Sequence, residues 1–285
     1  MRYLFTYIVC VLSLIASAQN DTEIYVFSCD LLSATPLSEA NNISRNKGYD
    51  NQPYFCSDSL IVYAGTLKNQ TEIYSYQLNT EQKKRLSYTV SGSEYSPQNI
   101  PNSAMLSAVR LDTDGKQGLY AYNPKNGDSK AILPGEVIAY PYWIGPTMLM
   151  ASVIENDQLH LYLFDLVKKT KRLIAEQSGR FIQRIPNSDR ISYTKQAGTN
   201  WELWAWDPSN AQSKKLFDLG TSQDGCWLPN GLFLCSQNNN IIQIDPKSHQ
   251  ARNFYTFTNP NTRVSRLACS PSGKKIAVVT SLIEE

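Results

Sequence analysis

The sequence predicts an all-β chain, a six-bladed β-propeller, and three observations carry that reading. Short runs of apolar and aromatic residues alternate with polar ones between turn formers. The runs recur with one phase along nearly the whole chain, and the two ends hold complementary halves of the recurring unit. The 285 residues are 42% hydrophobic and 18% charged, with 17 Tyr and only 2 His. That is enough apolar material for a core and too little charge for a disordered chain or a coiled coil. A net charge of +2, from Lys and Arg scattered along the chain, argues against nucleic acid as a partner, because phosphate binding needs a concentrated basic face.

Taken from the N-terminus, Met1 and Arg2 precede an apolar run from Tyr3 to Ile15, and Ala16-Ser17-Ala18 supplies the small residues a signal peptidase accepts. Residues 1–18 are therefore expected to be a signal peptide and residues 19–285 the propeller, exported to the periplasm or to the cell surface and beyond. The run is too short to cross the hydrocarbon of a bilayer, so no transmembrane segment is expected after cleavage. Cys29, Cys56, Cys226, Cys235 and Cys269 follow it. An odd number at irregular spacing is no disulfide framework, and they read as small apolar core residues. If one bridge forms, Cys226 with Cys235, on either side of the turn at Pro229-Asn230-Gly231, is the first pair to examine.

The recurring unit has two parts. One is an apolar-aromatic strand: Ile24-Tyr25-Val26-Phe27, Ile73-Tyr74-Ser75-Tyr76, Leu119-Tyr120-Ala121-Tyr122, Leu161-Tyr162-Leu163-Phe164, Leu203-Trp204-Ala205-Trp206 and Ile241-Ile242-Gln243-Ile244. Its aromatic series Tyr25, Tyr74, Tyr120, Tyr162 and Trp204 is expected to pack between blades. The other part is a strand, a tight turn and an apolar strand. Taking Ser57, Pro101, Gly145, Pro186, Pro229 and Pro271 as equivalent turn positions gives steps of 41 to 44 residues, about 43 on average, the length of one four-stranded blade. The chain begins with the first part and ends with the second. Pairing of the N- and C-terminal strands would complete the sixth blade and leave no open sheet edge, giving a monomeric ring.

The stretch Cys269-Ser270-Pro271-Ser272-Gly273-Lys274-Lys275-Ile276-Ala277 resembles the Ser-Pro-Asp-Gly-Lys hairpin of the TolB-type, WD40-like propeller repeat, with Ser272 in place of the family's Asp. Gly48-Tyr49-Asp50-Asn51-Gln52-Pro53-Tyr54-Phe55 resembles the strand that leads into such a hairpin. The resemblance is to secreted bacterial, Bacteroidetes-like members. It implies a periplasmic or surface propeller that binds other macromolecules, here without the extra N-terminal domain of TolB itself.

Inner strands line a propeller's channel, so a site is sought on them. Five positions before the turn anchors stand Gln52, Ser96, Tyr140, Phe181, Asp224 and Arg266, with Asp50, Glu94, Tyr95 and Arg180 close by. The expected ligand-binding mouth is Asp50, Gln52, Glu94, Tyr95, Tyr140, Arg180, Phe181, Asp224 and Arg266, the aromatics stacking and the charges pairing with an envelope protein or peptide. No catalytic residues are expected. There is no Gly-x-Ser-x-Gly elbow, His160 falls in a strand and His249 in an outer turn. The expected function is a non-catalytic binding or scaffold module at the cell envelope, with no cofactor and no metal. Two alternatives stand beside it: a glycan-binding envelope protein, and a metal-dependent, lactonase-like hydrolase using Asp50, Glu94 and Asp224.

Overall fold

The computed structural model describes residues 21–283, so the expected signal peptide lies outside the described residues. Strands β1 to β24, numbered in chain order, form six four-stranded antiparallel sheets, and no helix occurs among the described residues. This is the six-bladed β-propeller that the phased repeat predicts. Each blade begins at the channel with an inner strand: β3 (Asn51–Phe55), β7 (Gly92–Asn99), β11 (Ile138–Gly145), β15 (Ser178–Arg184), β19 (Gly225–Trp227) and β23 (Thr262–Cys269). The six anchor residues of the repeat all fall at or just beyond the end of these strands. No helix among the described residues is long and apolar enough to cross a membrane.

Closure follows the expected route. The last hairpin, β23 and β24 (Lys275–Leu282), is completed by β1 (Glu23–Cys29) and β2 (Leu37–Asn42) from the other end of the chain. β24 pairs with β1 in unbroken register from Glu23↔Thr280 to Ser28↔Lys275. The free edges of the blades are the outer strands, where Lys83, Lys84, Lys171, Arg172, Lys214 and Lys215 put charge on the unpaired side and discourage edge-to-edge association.

The cores lie between blades. On the third strand of each sheet Ile24, Ile73, Leu119, Leu161, Leu203 and Ile241 are 0% exposed. The aromatic series, one position on, turns to the other face of its strand, which also packs against an interblade core, as expected. Tyr25, Tyr74, Tyr120, Tyr162 and Trp204 are only half-buried, at the margins of the cores. Four of them carry a cation over the ring: Lys83 at 4.8 Å from the Tyr74 centroid, Arg110 at 3.7 Å from Tyr120, Lys171 at 4.1 Å from Tyr162 and Lys195 at 5.2 Å from Trp204. The basic side chains cover the rings. Neighbouring blades are also latched by indoles. Trp143 Nε1 donates to Ser107 Oγ and Trp227 Nε1 to Ser192 Oγ, both at 2.8 Å.

All five described cysteines are free thiols. Cys226 pairs across the sheet with Leu234, so Cys235, one residue further, faces the opposite side and packs in a different core. The two thiols cannot meet without turning a strand over.

Candidate functional site

The inner strands are not regular, and their irregularity decides which side chains reach the channel. β3 carries a register shift between Asn51 and Tyr54, β7 between Tyr95 and Gln98, and β23 between Val264 and Arg266. At the first two bulges Gln52 and Ser96 adopt left-handed backbone, with φ of 57° and 50°. A bulge breaks the two-residue alternation of a strand, so residues two apart no longer share a face. Adjacent inner strands make no ladder with each other, and glutamines bridge them instead. Gln52 Oε1 accepts from Ser96 N at 2.7 Å, Gln98 Nε2 donates to the Pro141 carbonyl at 2.7 Å, and Gln183 Oε1 accepts from Trp227 N at 3.2 Å.

These strands enclose a pocket of about 330 Å³ to which all six blades contribute. It runs from mid-strand, at Gln52, Ser96, Arg180, Asp224 and Arg266, to the hairpin end, at Cys269 and Pro271. Tyr54, on β3, and Tyr140 and Tyr142, on β11, are among its lining residues. Arg180 Nε lies 3.0 Å and Arg266 Nη1 3.1 Å from Asp224 Oδ2, and Asp224 Oδ1 accepts from Gly225 N at 2.8 Å. Arg180 reaches past β19 to donate from Nη2 to the Ser265 carbonyl at 2.5 Å. The Arg266 guanidinium sits 5.5 Å from the Tyr140 ring centroid. The Arg180 and Arg266 side chains are 24% and 12% exposed and that of Asp224 8%, so the cluster is drawn well out of bulk water. Burial, followed by the charge of Arg266, lowers the pKa of Arg180, whereas the net effect at Arg266, with Asp224 beside it, is upward.

Of the nine expected site residues, Gln52, Tyr140, Arg180, Phe181, Asp224 and Arg266 line this pocket, although the Phe181 ring turns into the interblade core, edge-on to Phe233 at 5.4 Å. Asp50, Glu94 and Tyr95 do not join them. The bulges at Gln52 and Ser96 send the two acids between blades, where each is 0% exposed. Glu94 accepts from Tyr122 Oη and Ser87 Oγ at 3.1 Å and from Thr89 Oγ1, while Ser87 Oγ also bonds Glu72 at 2.6 Å. Burial pushes the carboxyls of Asp50 and Glu94 up to about 7 and raises that of Glu72. Asp50, Glu94 and Asp224 thus occupy three separate settings, and no group of three or more His, Cys, Asp or Glu among the described residues is arranged to hold a metal. Sequence reasoning missed Tyr49, which packs edge-on against Tyr95 at 5.9 Å and lies within electrostatic reach of both arginines. It also missed Gln98 and Gln183, which lie two residues beyond Ser96 and Phe181 and were open to discovery by the same alternation.

No family model matches the chain, and no curated protein matches it. Among solved structures it is similar to a putative TolB from Agrobacterium tumefaciens, at 11% identity and a TM-score of 0.69, covering 93% of this chain and 100% of that one. TolB from Acinetobacter baumannii is similar at 12% identity and a TM-score of 0.59, with 92% of this chain covered but only 64% of the other. An oligogalacturonate lyase in complex with manganese aligns over 86% of this chain and 80% of its own, at 12% identity and a TM-score of 0.56. At such identities the likeness establishes the propeller fold.

Proposed function

We propose that this protein is an exported, non-catalytic binding module of the cell envelope that seats an extended peptide or protein segment in the hairpin-side mouth of its channel. One observation carries the reading: a pocket built by all six inner strands, with three tyrosines on its wall and an Arg-Asp-Arg cluster in its depth. Tyrosines offer broad contact area at small entropic cost, and exposed donors beside them supply orientation. The TolB-type hairpin motif at Ser270-Pro271-Ser272-Gly273 points the same way. The metal-dependent hydrolase alternative requires carboxylates that converge, and the dispersal of Asp50, Glu94 and Asp224 speaks against it.

The test is selection of random displayed peptides on the immobilised protein, followed by Kd measurement for the survivors. Tyr140→Ala should weaken binding by roughly tenfold or more, the range of an aromatic hot spot. Selected peptides whose affinity is untouched by both Tyr140→Ala and Tyr54→Ala would show that they bind elsewhere.

A further inference from the structure

We propose that the depth of the channel is a carboxylate site, and that the peptide taken there is held by a carboxylate, its C-terminus or an Asp or Glu side chain. The inference rests on the peptide-binding reading and names its chemistry. Among the residues that line the pocket only Arg180, Arg266 and Asp224 carry charge, two cations against one anion. Asp224 is engaged at both oxygens: Oδ2 faces both guanidiniums at 3.0 and 3.1 Å, and Oδ1 is bonded to Gly225 N. Each guanidinium carries five N–H donors. The acceptors that the chain offers them, Asp224 Oδ2, the Ser265 carbonyl and the Tyr140 side chain, leave several donors unmatched.

An unmatched positive charge drawn out of bulk water is costly, and the mutual repulsion of two guanidiniums adds to the cost. A carboxylate relieves both. It brings the missing negative charge, and its two oxygens match the fork of an arginine in a bidentate pair. A neutral amide brings neither. The surrounding wall of Tyr54, Tyr140, Gln52 and Gln98 holds no ionised group that would repel the incoming anion.

The probes are synthetic heptapeptides from the selection in three forms: free C-terminus, C-terminal amide without acidic residues, and C-terminal amide with one internal Glu. At least one carboxylate form should bind roughly tenfold or more tightly than the all-amide form, since charge-assisted pairs in such a setting reach that size. The first and third forms separate terminal from side-chain recognition. Arg180→Gln, which leaves Arg266 to neutralise Asp224, should level the three affinities, and on the unaltered protein added salt should weaken only the carboxylate forms. Equal binding of all three forms to the unaltered protein overturns the carboxylate site and leaves the peptide reading intact. Failure of every peptide and of trigalacturonate to bind overturns both, and binding of trigalacturonate alone overturns the peptide reading and assigns the carboxylate site to an acidic sugar.

Discussion

The ring has two arcs that treat buried charge in opposite ways. On the side of β3 and β7, one repeat position holds Asp50 and Glu94, and both carboxyls are sealed between blades with no basic partner in direct contact. On the side of β15, β19 and β23 the same position holds Gly179, Ser222 and Val264, and charge has moved to the next two positions, at Arg180, Asp224 and Arg266, facing the pocket. In the first arc burial pushes the carboxyls of Asp50 and Glu94 up to about 7, so each holds its proton to a higher pH than a free acid does. The second arc pairs its charges instead. A protonated acid is a hydrogen-bonding core residue, whereas a paired, off-balance cluster open to a cavity still has a field to offer a ligand.

The largest expected effect comes from breaking the paired arc. Asp224→Asn leaves Arg180 and Arg266 together without an anion and should lower the unfolding free energy by about 3 kcal/mol, read as a shift in the urea midpoint, because stranding buried charges by removing their partner is costly. A shift below about 0.5 kcal/mol would place the cluster in the regime of surface pairs.

The arc with the raised carboxyls gives a smaller effect with a defined pH course. A carboxyl whose folded pKa is raised binds its proton more tightly in the folded state than in the unfolded chain. Its contribution to stability is therefore complete below about pH 4 and is lost as pH climbs through about 7. Unfolding free energy measured from pH 4 to 8 should fall across that window, and Glu94→Gln should recover on the order of 2 kcal/mol at pH 8 while changing little at pH 4. A variant that is as pH-dependent as the parent would remove Glu94 from this role.

The smallest effect is a control common to both arcs. Trp143→Phe and Trp227→Phe each remove one indole latch, to Ser107 and Ser192, and each should cost about 1 kcal/mol in thermal or urea unfolding. A clear inequality would mean that the blades of one arc are held together more tightly than those of the other.

Much of the architecture was legible because it is periodic. Six anchors at nearly equal steps and a chain that begins and ends on complementary halves specify six blades and their closure. The pocket lining was legible only in part: Tyr140, Asp224 and Arg266 stand at one repeat phase and Arg180 one position earlier, and all four reach it, while Asp50 and Glu94 do not, because no residue type announces a bulge. Gln52 and Ser96 are not glycines, yet they take left-handed backbone, and only the folded strand reveals it. The aromatic series does pack between blades, but its depth of burial was not legible. Ile and Tyr alternate at adjacent positions, and a half-covered ring under a Lys or Arg has the same sequence signature as a buried one.

The pairing of β1 with β24 bears on how the chain comes to be folded at all. Glu23 and Thr280 are ladder partners, so β1, with Ile24, Val26 and Phe27 destined for burial, has β2 on one edge soon after synthesis but no strand on its other edge until β24 is made. Five blades can assemble in order behind it while this hydrophobic strand stays exposed to the wrong neighbours. The ring is thus closed late, when the final hairpin meets the edge of β1 that β2 leaves open.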